Sequence, residues 1–207
     1  MQEIDDFATD SLNLAWRWNH NPHSAFWSLT ERPGFLRLKA STLETSSGED
    51  GLHQPVLAEM DSILFAKNVV SQLIVGKSCI GTTLLDVSKM ENGQRAGFCF
   101  FNKSYAWIGV IQDNENRVLA LYDNSTGNLV KYLAADAIVH EQVWLRGMAT
   151  QGQGTLLYSL DGENFVQLGN SIPFHTEWFE SHSMALFTYN IASSKGHVDF
   201  DWFQVKS

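Results

Sequence analysis

The stretch AGFCFFNKSYAWIGVIQDNENRVLALY, residues 96–122, decides the fold. It holds three apolar segments, Ala96 to Phe101, Tyr105 to Ile111 and Val118 to Tyr122, separated by short polar turns. Each segment is apolar on both faces, as expected for strands in the middle of a sandwich where one sheet faces another. The stretch therefore reads as an antiparallel meander. Working outward, period-2 alternation recurs in Leu12 to Trp18, Phe35 to Leu38 and Val143 to Met148, and each reads as a half-buried strand. Leu156 to Leu160, then Asp161-Gly162, then Phe165 to Leu168 predict a hairpin, because Asp-Gly accepts the positive φ of tight turns. Ser41 to Gly51 reads as an exposed loop, and Ala134 to Ala137 as one helical turn. No repeat of the kind a propeller needs is present. The expected architecture is all-β, an antiparallel two-sheet jelly-roll sandwich, with residues 1–207 as a single domain.

Composition agrees with one sizeable core. The 207 residues are 44% hydrophobic and 12% aromatic, with 7 Trp and 13 Phe, so aromatic side chains remain for the surface. Against 23 Asp and Glu stand 14 Lys and Arg, a net charge of -9 with no basic run, which argues against nucleic acid or an anionic membrane as partner. No apolar run approaches a membrane span. Met1 to Asp10 is acidic and lacks the features of a signal peptide, so the expectation is a cytoplasmic chain or a domain excised from a longer enzyme. Cys79 and Cys99 are too few and too isolated for a metal site or a disulfide framework and read as half-buried thiols.

Four ordered segments carry a resemblance. Trp16-Arg17-Trp18-Asn19-His20-Asn21-Pro22 continues through Phe26-Trp27-Ser28-Leu29 and Arg32-Pro33-Gly34-Phe35-Leu36-Arg37-Leu38. Leu85 to Met90 with Gly93 to Gly97, Tyr158 to Gly162, and Gly196 to Phe203 follow in the same order. Together they resemble the C-terminal concanavalin-like domain of family 43 glycoside hydrolases, the β-xylosidases and arabinofuranosidases. The resemblance implies an accessory domain, with hydrolysis performed by the carboxylates of a separate five-bladed propeller. It further implies two partners, that propeller and xylan or xylo-oligosaccharide, as in xylan-binding modules. By position, Phe179 matches a Phe that in the β-xylosidase branch reaches across to the xylose pocket of the catalytic domain.

The candidate sites follow from chemistry. Glycoside hydrolysis needs two carboxyl groups flanking the bond. Glu59 and Asp61 resemble the alternating acids of concanavalin-like glucanases, but the position of the second Glu is Leu64, so no catalytic pair forms locally and none is expected. Sugar binding rests on aromatic rings stacking on pyranose faces beside polar groups. Tyr105 and Trp107 share one strand face, Trp144 and Arg146 another, and the two faces would form one cleft if both line the concave sheet. Asn19, His20 and Arg32 are candidate polar contacts, or else hold a loop. Asp199 and Asp201 project from one face of the last strand, a repulsion that needs an offset. A structural Ca2+ shared with Asp5, Asp6 or Asp10 is one expectation, Asp6 being the chosen partner. A bond from an Arg such as Arg17 is the other.

Overall fold

The computed structural model describes residues 2–43, 61–139, 141–174 and 182–207. Two antiparallel sheets face each other. The nine-stranded sheet runs β13 (Val166–Gln167), β12 (Gln153–Ser159), β11 (Gln142–Thr150), β6 (Ser78–Asp86), β16 (His197–Lys206), β4 (Leu36–Lys39), β3 (Trp27–Ser28), with β1 (Gln2–Asp5) beside β16 and β14 (Ile172–Pro173) beside β12. The seven-stranded sheet runs β10 (Val130–Ile138), β9 (Asn116–Asp123), β8 (Ala106–Asp113), β7 (Gln94–Phe101), β15 (Ser183–Asn190), β5 (Val70–Leu73), β2 (Arg17–Trp18). The predicted meander is β7, β8 and β9, and the Asp-Gly hairpin joins β12 to β13. Pairings between strands far apart in the chain, such as β6 with β11 and β7 with β15, give the jelly-roll topology expected of a concanavalin-like sandwich.

Alternation sets what each strand buries. Val143, Leu145 and Ala149 of β11 join Ala96, Phe98 and Phe100 of β7, Ala106, Ile108 and Val110 of β8, and Phe200 and Phe203 of β16 in the core between the sheets. Each fully buried Phe contributes on the order of 1.5–3 kcal/mol. Glycine makes room for these rings. A Cβ on Gly147 would strike Phe98 and one on Gly154 would come within 2.6 Å of Phe100, so small residues of one sheet receive the large ones of the other.

A second apolar layer explains why the meander is apolar on both faces. Cys99, Trp107, Ala120, Tyr122, Phe187 and Tyr189 lie on the side of the seven-stranded sheet away from the first core, packed with Ile63, Ala66 and Val69. The second face thus meets a covering segment, residues 61–69, and only the first meets the other sheet.

Two local expectations are corrected. Within Leu12 to Trp18 only Arg17–Trp18 is strand. The Asp5 carboxylate accepts hydrogen bonds from Asn13 Nδ2 at 2.8 Å and Trp16 Nε1 at 2.7 Å, which ties the preceding residues into a turn. Ala134 to Ala137 belongs to β10, which crosses this run with a register shift between Ala134 and Ile138, and forms no helical turn. Pairing with β9 overrides the helical preference of alanine. Cys79 and Cys99 are buried free thiols, pushed up in pKa by that burial. No helix among the described residues is long and apolar enough to cross a membrane.

Candidate functional site

The outward face of the nine-stranded sheet carries the strongest cluster. Because Val143 and Leu145 point inward, Trp144, Arg146 and Met148 point out. Trp144 stands opposite Leu84 and Ser159, and Arg146 opposite Thr82 and Leu157. Arg146 Nε donates to Thr82 Oγ1 at 3.0 Å, and its guanidinium carbon lies 3.5 Å from the centre of the Phe165 ring. Burial lowers the Arg146 pKa.

The indole of Trp144 abuts the turn between β12 and β13. Gly162 there has φ +80°, and a Cβ on it would come 3.0 Å from Trp144 Cε2. Asp161 builds the turn, accepting from Asn164 Nδ2, the backbone N–H groups of Glu163 and Asn164, and Ser159 Oγ. The bonds from Asn164, then Glu163 and Ser159, hold its carboxyl well below the usual carboxylate range. On the other side of Leu84, β16 pairs irregularly between Phe200 and Phe203. Both phenylalanines face the core, leaving Asp201 and Trp202 half-buried outside it.

The acids of the last strand are engaged by arginine. Asp199, 3% exposed, accepts from Arg37 Nε at 2.8 Å and Arg37 Nη2 at 2.9 Å, and from Arg32 Nη1 at 2.9 Å. Arg32 also donates to Asp86 at 2.7 Å and stacks on Phe35. The offset to the Asp199–Asp201 repulsion therefore comes from Arg32 and Arg37, and Arg17 takes no part. Asp6 is occupied locally, accepting from Ala8 N at 3.1 Å. Among the described residues no group of three His, Cys, Asp or Glu side chains is placed to hold a metal ion, and Asp199 is already engaged by two arginines.

Tyr105 and Trp107 occupy the opposite outer side of the sandwich from Trp144 and Arg146, so the single expected cleft does not form. Trp107 is fully buried, its ring 4.3 Å from that of Tyr122, and Tyr105 is 3% exposed with its hydroxyl 3.2 Å from Ser62 Oγ. Burial raises the Tyr105 pKa. Neither ring is open to a sugar face, because residues 61–69 cover both.

Asp61 is likewise no free acid. Its carboxylate receives Arg95 Nε and Nη2 at 3.0–3.1 Å and the Tyr189 hydroxyl at 2.8 Å. Asp61 is thus a half-buried clamp; Glu59 and Phe179 lie outside the described residues. His20 is exposed, 3.2 Å from Leu64 O, in an open cleft of about 450 Å³ lined also by Trp18, Asn19, Phe101, Asn102 and Lys103. It does not join Trp144 and Arg146. A second cleft, about 350 Å³, is lined by Leu14, Leu73, Val75 and Val205.

The sequence reading missed Phe165 and Trp202. Phe165 opens the returning strand of the predicted hairpin, a position that brings it beside β11. Strict alternation would have sent Trp202 inward with Phe200, and only the irregularity in β16 turns it out.

A family model described as the β-xylosidase C-terminal concanavalin A-like domain matches residues 4–206. A β-xylosidase of Formosa agariphila is 34% identical over 208 residues, covering 96% of this chain and 34% of that protein. A xylan 1,3-β-xylosidase of a Vibrio species is 26% identical over 214 residues, covering 97% of this chain and 37% of that protein. A solved bifunctional GH43-CE protein of Bacteroides eggerthii superposes with a TM-score of 0.82 at 28% identity, covering 98% of this chain and 25% of that one. The chain thus spans about a third of the length of these two xylosidases.

Proposed function

We propose, on the premise that this chain belongs to the family of β-xylosidase C-terminal concanavalin A-like domains, that it is a non-catalytic accessory domain recognising xylan or arabinoxylan-type polysaccharide. The observation that carries the reading is the outward cluster of Trp144, Arg146 and Phe165, in which a rigid turn and a cross-strand hydrogen bond fix an indole and a guanidinium side by side. Such a pairing offers an apolar platform for a pyranose face and donors for its hydroxyls. Preorganisation matters because weak sugar contacts cannot also bear the cost of ordering the side chains that make them. The non-catalytic reading is supported by Asp61, whose carboxylate is committed to Arg95 and Tyr189. In this reading hydrolysis belongs to the propeller domain of a family 43 enzyme.

Affinity electrophoresis in gels containing xylan tests the proposal. The full chain should be retarded, and Trp144→Ala should lose most of that retardation while keeping its unfolding midpoint. Equal migration with and without xylan would sink the binding reading. Release of reducing sugar by the purified chain would overturn the non-catalytic one.

A second reading has its own support. Leu14 is fully exposed and, with Leu73 and Val75, borders the 350 Å³ cleft at one end of the sandwich, an apolar rim suited to packing against another domain. In that reading the domain completes a propeller's catalytic pocket through Phe179 and binds no free polysaccharide. Phe179→Ala in the presence of the catalytic domain should then raise the Michaelis constant, and an unchanged constant would count against it.

A further inference from the structure

Among the described residues Arg146 is a cation without a counter-ion. Arg32 and Arg37 share Asp199, and Arg95 is held by Asp61, whereas Arg146 meets no carboxylate among the described residues. Its Nε is taken by Thr82 Oγ1 and one face of its guanidinium by Phe165, so the group is fixed and partly dehydrated while Nη1 and Nη2 have no protein acceptor among the described residues. A half-buried positive charge left in this state costs stability unless something negative arrives. Surface salt exchange does not explain it, because a flexible arginine could reach water more cheaply by swinging off the ring.

We propose that Arg146 receives the carboxylate of a uronic acid unit carried on the polysaccharide backbone, while Trp144 stacks on a neighbouring pyranose ring. The proposal rests on the polysaccharide reading above and sharpens it from neutral xylan to uronate-substituted xylan. The guanidinium presents two parallel N–H donors, the arrangement that binds a carboxylate in bidentate fashion and that a neutral hydroxyl cannot fill. Trp144 lies two residues away on the same strand face, near enough for one chain to touch both. Trp202 lies in the irregular stretch of β16, the strand that flanks β6 on the side away from β11. A chain of net charge -9 repels polyanions at long range, so a preference for an acidic polymer must come from a local site and would not arise from bulk attraction.

Calorimetry of the full chain against uronate-bearing xylan, and against the same polymer with its carboxyl groups reduced to alcohols, gives the test. The acidic polymer should bind roughly tenfold or more tightly, the scale of a charged hydrogen-bonded pair. Added salt should weaken binding of the acidic polymer alone. Arg146→Gln should bind both polymers equally, and Arg146→Lys, which keeps the charge without the fork, should fall between. Equal binding of both polymers by the unaltered chain would overturn the uronate proposal and leave polysaccharide binding standing. No binding to either would overturn both. If Arg146→Gln keeps the same preference among polymers but no longer associates with a separately produced catalytic domain, the carboxylate belongs to a protein partner and the proposal fails.

Discussion

Asp199 holds two guanidinium groups in place, and its neutral replacement would take from Arg37 its main acceptor and leave Arg32 with Asp86 alone. Asp199→Asn is expected to cost about 3 kcal/mol, read from the midpoint of urea unfolding. The same residue sets an acid limit. Burial alone would raise the Asp199 pKa, but hydrogen bonds from Arg37 and then Arg32 outweigh it and hold the carboxyl below its ordinary range; Asp86 behaves likewise through Arg32 and Ser88. The folded chain therefore binds fewer protons than the unfolded one at mildly acid pH. The stabilisation is complete above the unfolded carboxylate value, about 4, and is lost as pH falls through the lower folded values. Thermal scans should show a melting temperature that drops through this window, with a shallower drop in Asp199→Asn. Alternation in the sequence marks Asp199 as facing away from the core beside Val198 and Phe200, which is where it lies. The identity of its partners was not legible there, since Arg32 and Arg37 lie on the far side of the chain in sequence and reach Asp199 only through the pairing of β4 with β16.

At the scale of elements, the meander and the Asp-Gly hairpin could be read directly because each rests on local chemistry: apolar strand segments in one, a positive-φ glycine in the other. The candidate cleft could not. Alternation says that Tyr105 and Trp107 share a face, and that Trp144 and Arg146 share one, but it says nothing of which sheet each strand joins or what lies over it. β8 and β11 proved to be in different sheets, and residues 61–69 close over the β8 face. Trp107→Ala is accordingly expected to act on stability, by about 3–5 kcal/mol in denaturant unfolding, and to leave the binding constant of the surviving folded protein for xylan unchanged. A folded, stable variant with lost binding would contradict that placement.

For the molecule as a whole, the stacking order is covering segment, seven-stranded sheet, inter-sheet core, nine-stranded sheet, and the candidate binding cluster faces outward from the last of these. Rigidity at that cluster is supplied by hydrogen bonds and ring contacts among the described residues. Chelation should therefore leave the melting temperature unchanged, whereas a tightly bound Ca2+ would stabilise the native state by mass action and chelation would lower it. Differential scanning calorimetry with and without EDTA decides between them.

The clamp at Asp61 has a kinetic meaning. The cover over the second apolar layer is fastened to the sheet by the Asp61 carboxylate gripping Arg95 and Tyr189, by the Ser62–Tyr105 contact and by the packing of Ile63, Ala66 and Val69, while the sandwich beneath is closed by its own strand ladders. The two parts can therefore come apart in sequence, the cover lifting as a sub-global unit before the strands separate. Asp61→Asn should bring that opening within reach of native-state hydrogen exchange, with amides of residues 63–69 exchanging faster while those of β7 and β15 keep their protection. Uniform acceleration across both groups would show instead that cover and sandwich melt as one. If they separate, Trp107, stacked on Tyr122 beneath the cover, becomes an intrinsic fluorescent reporter of the cover on a domain whose proposed binding surface lies on the other side.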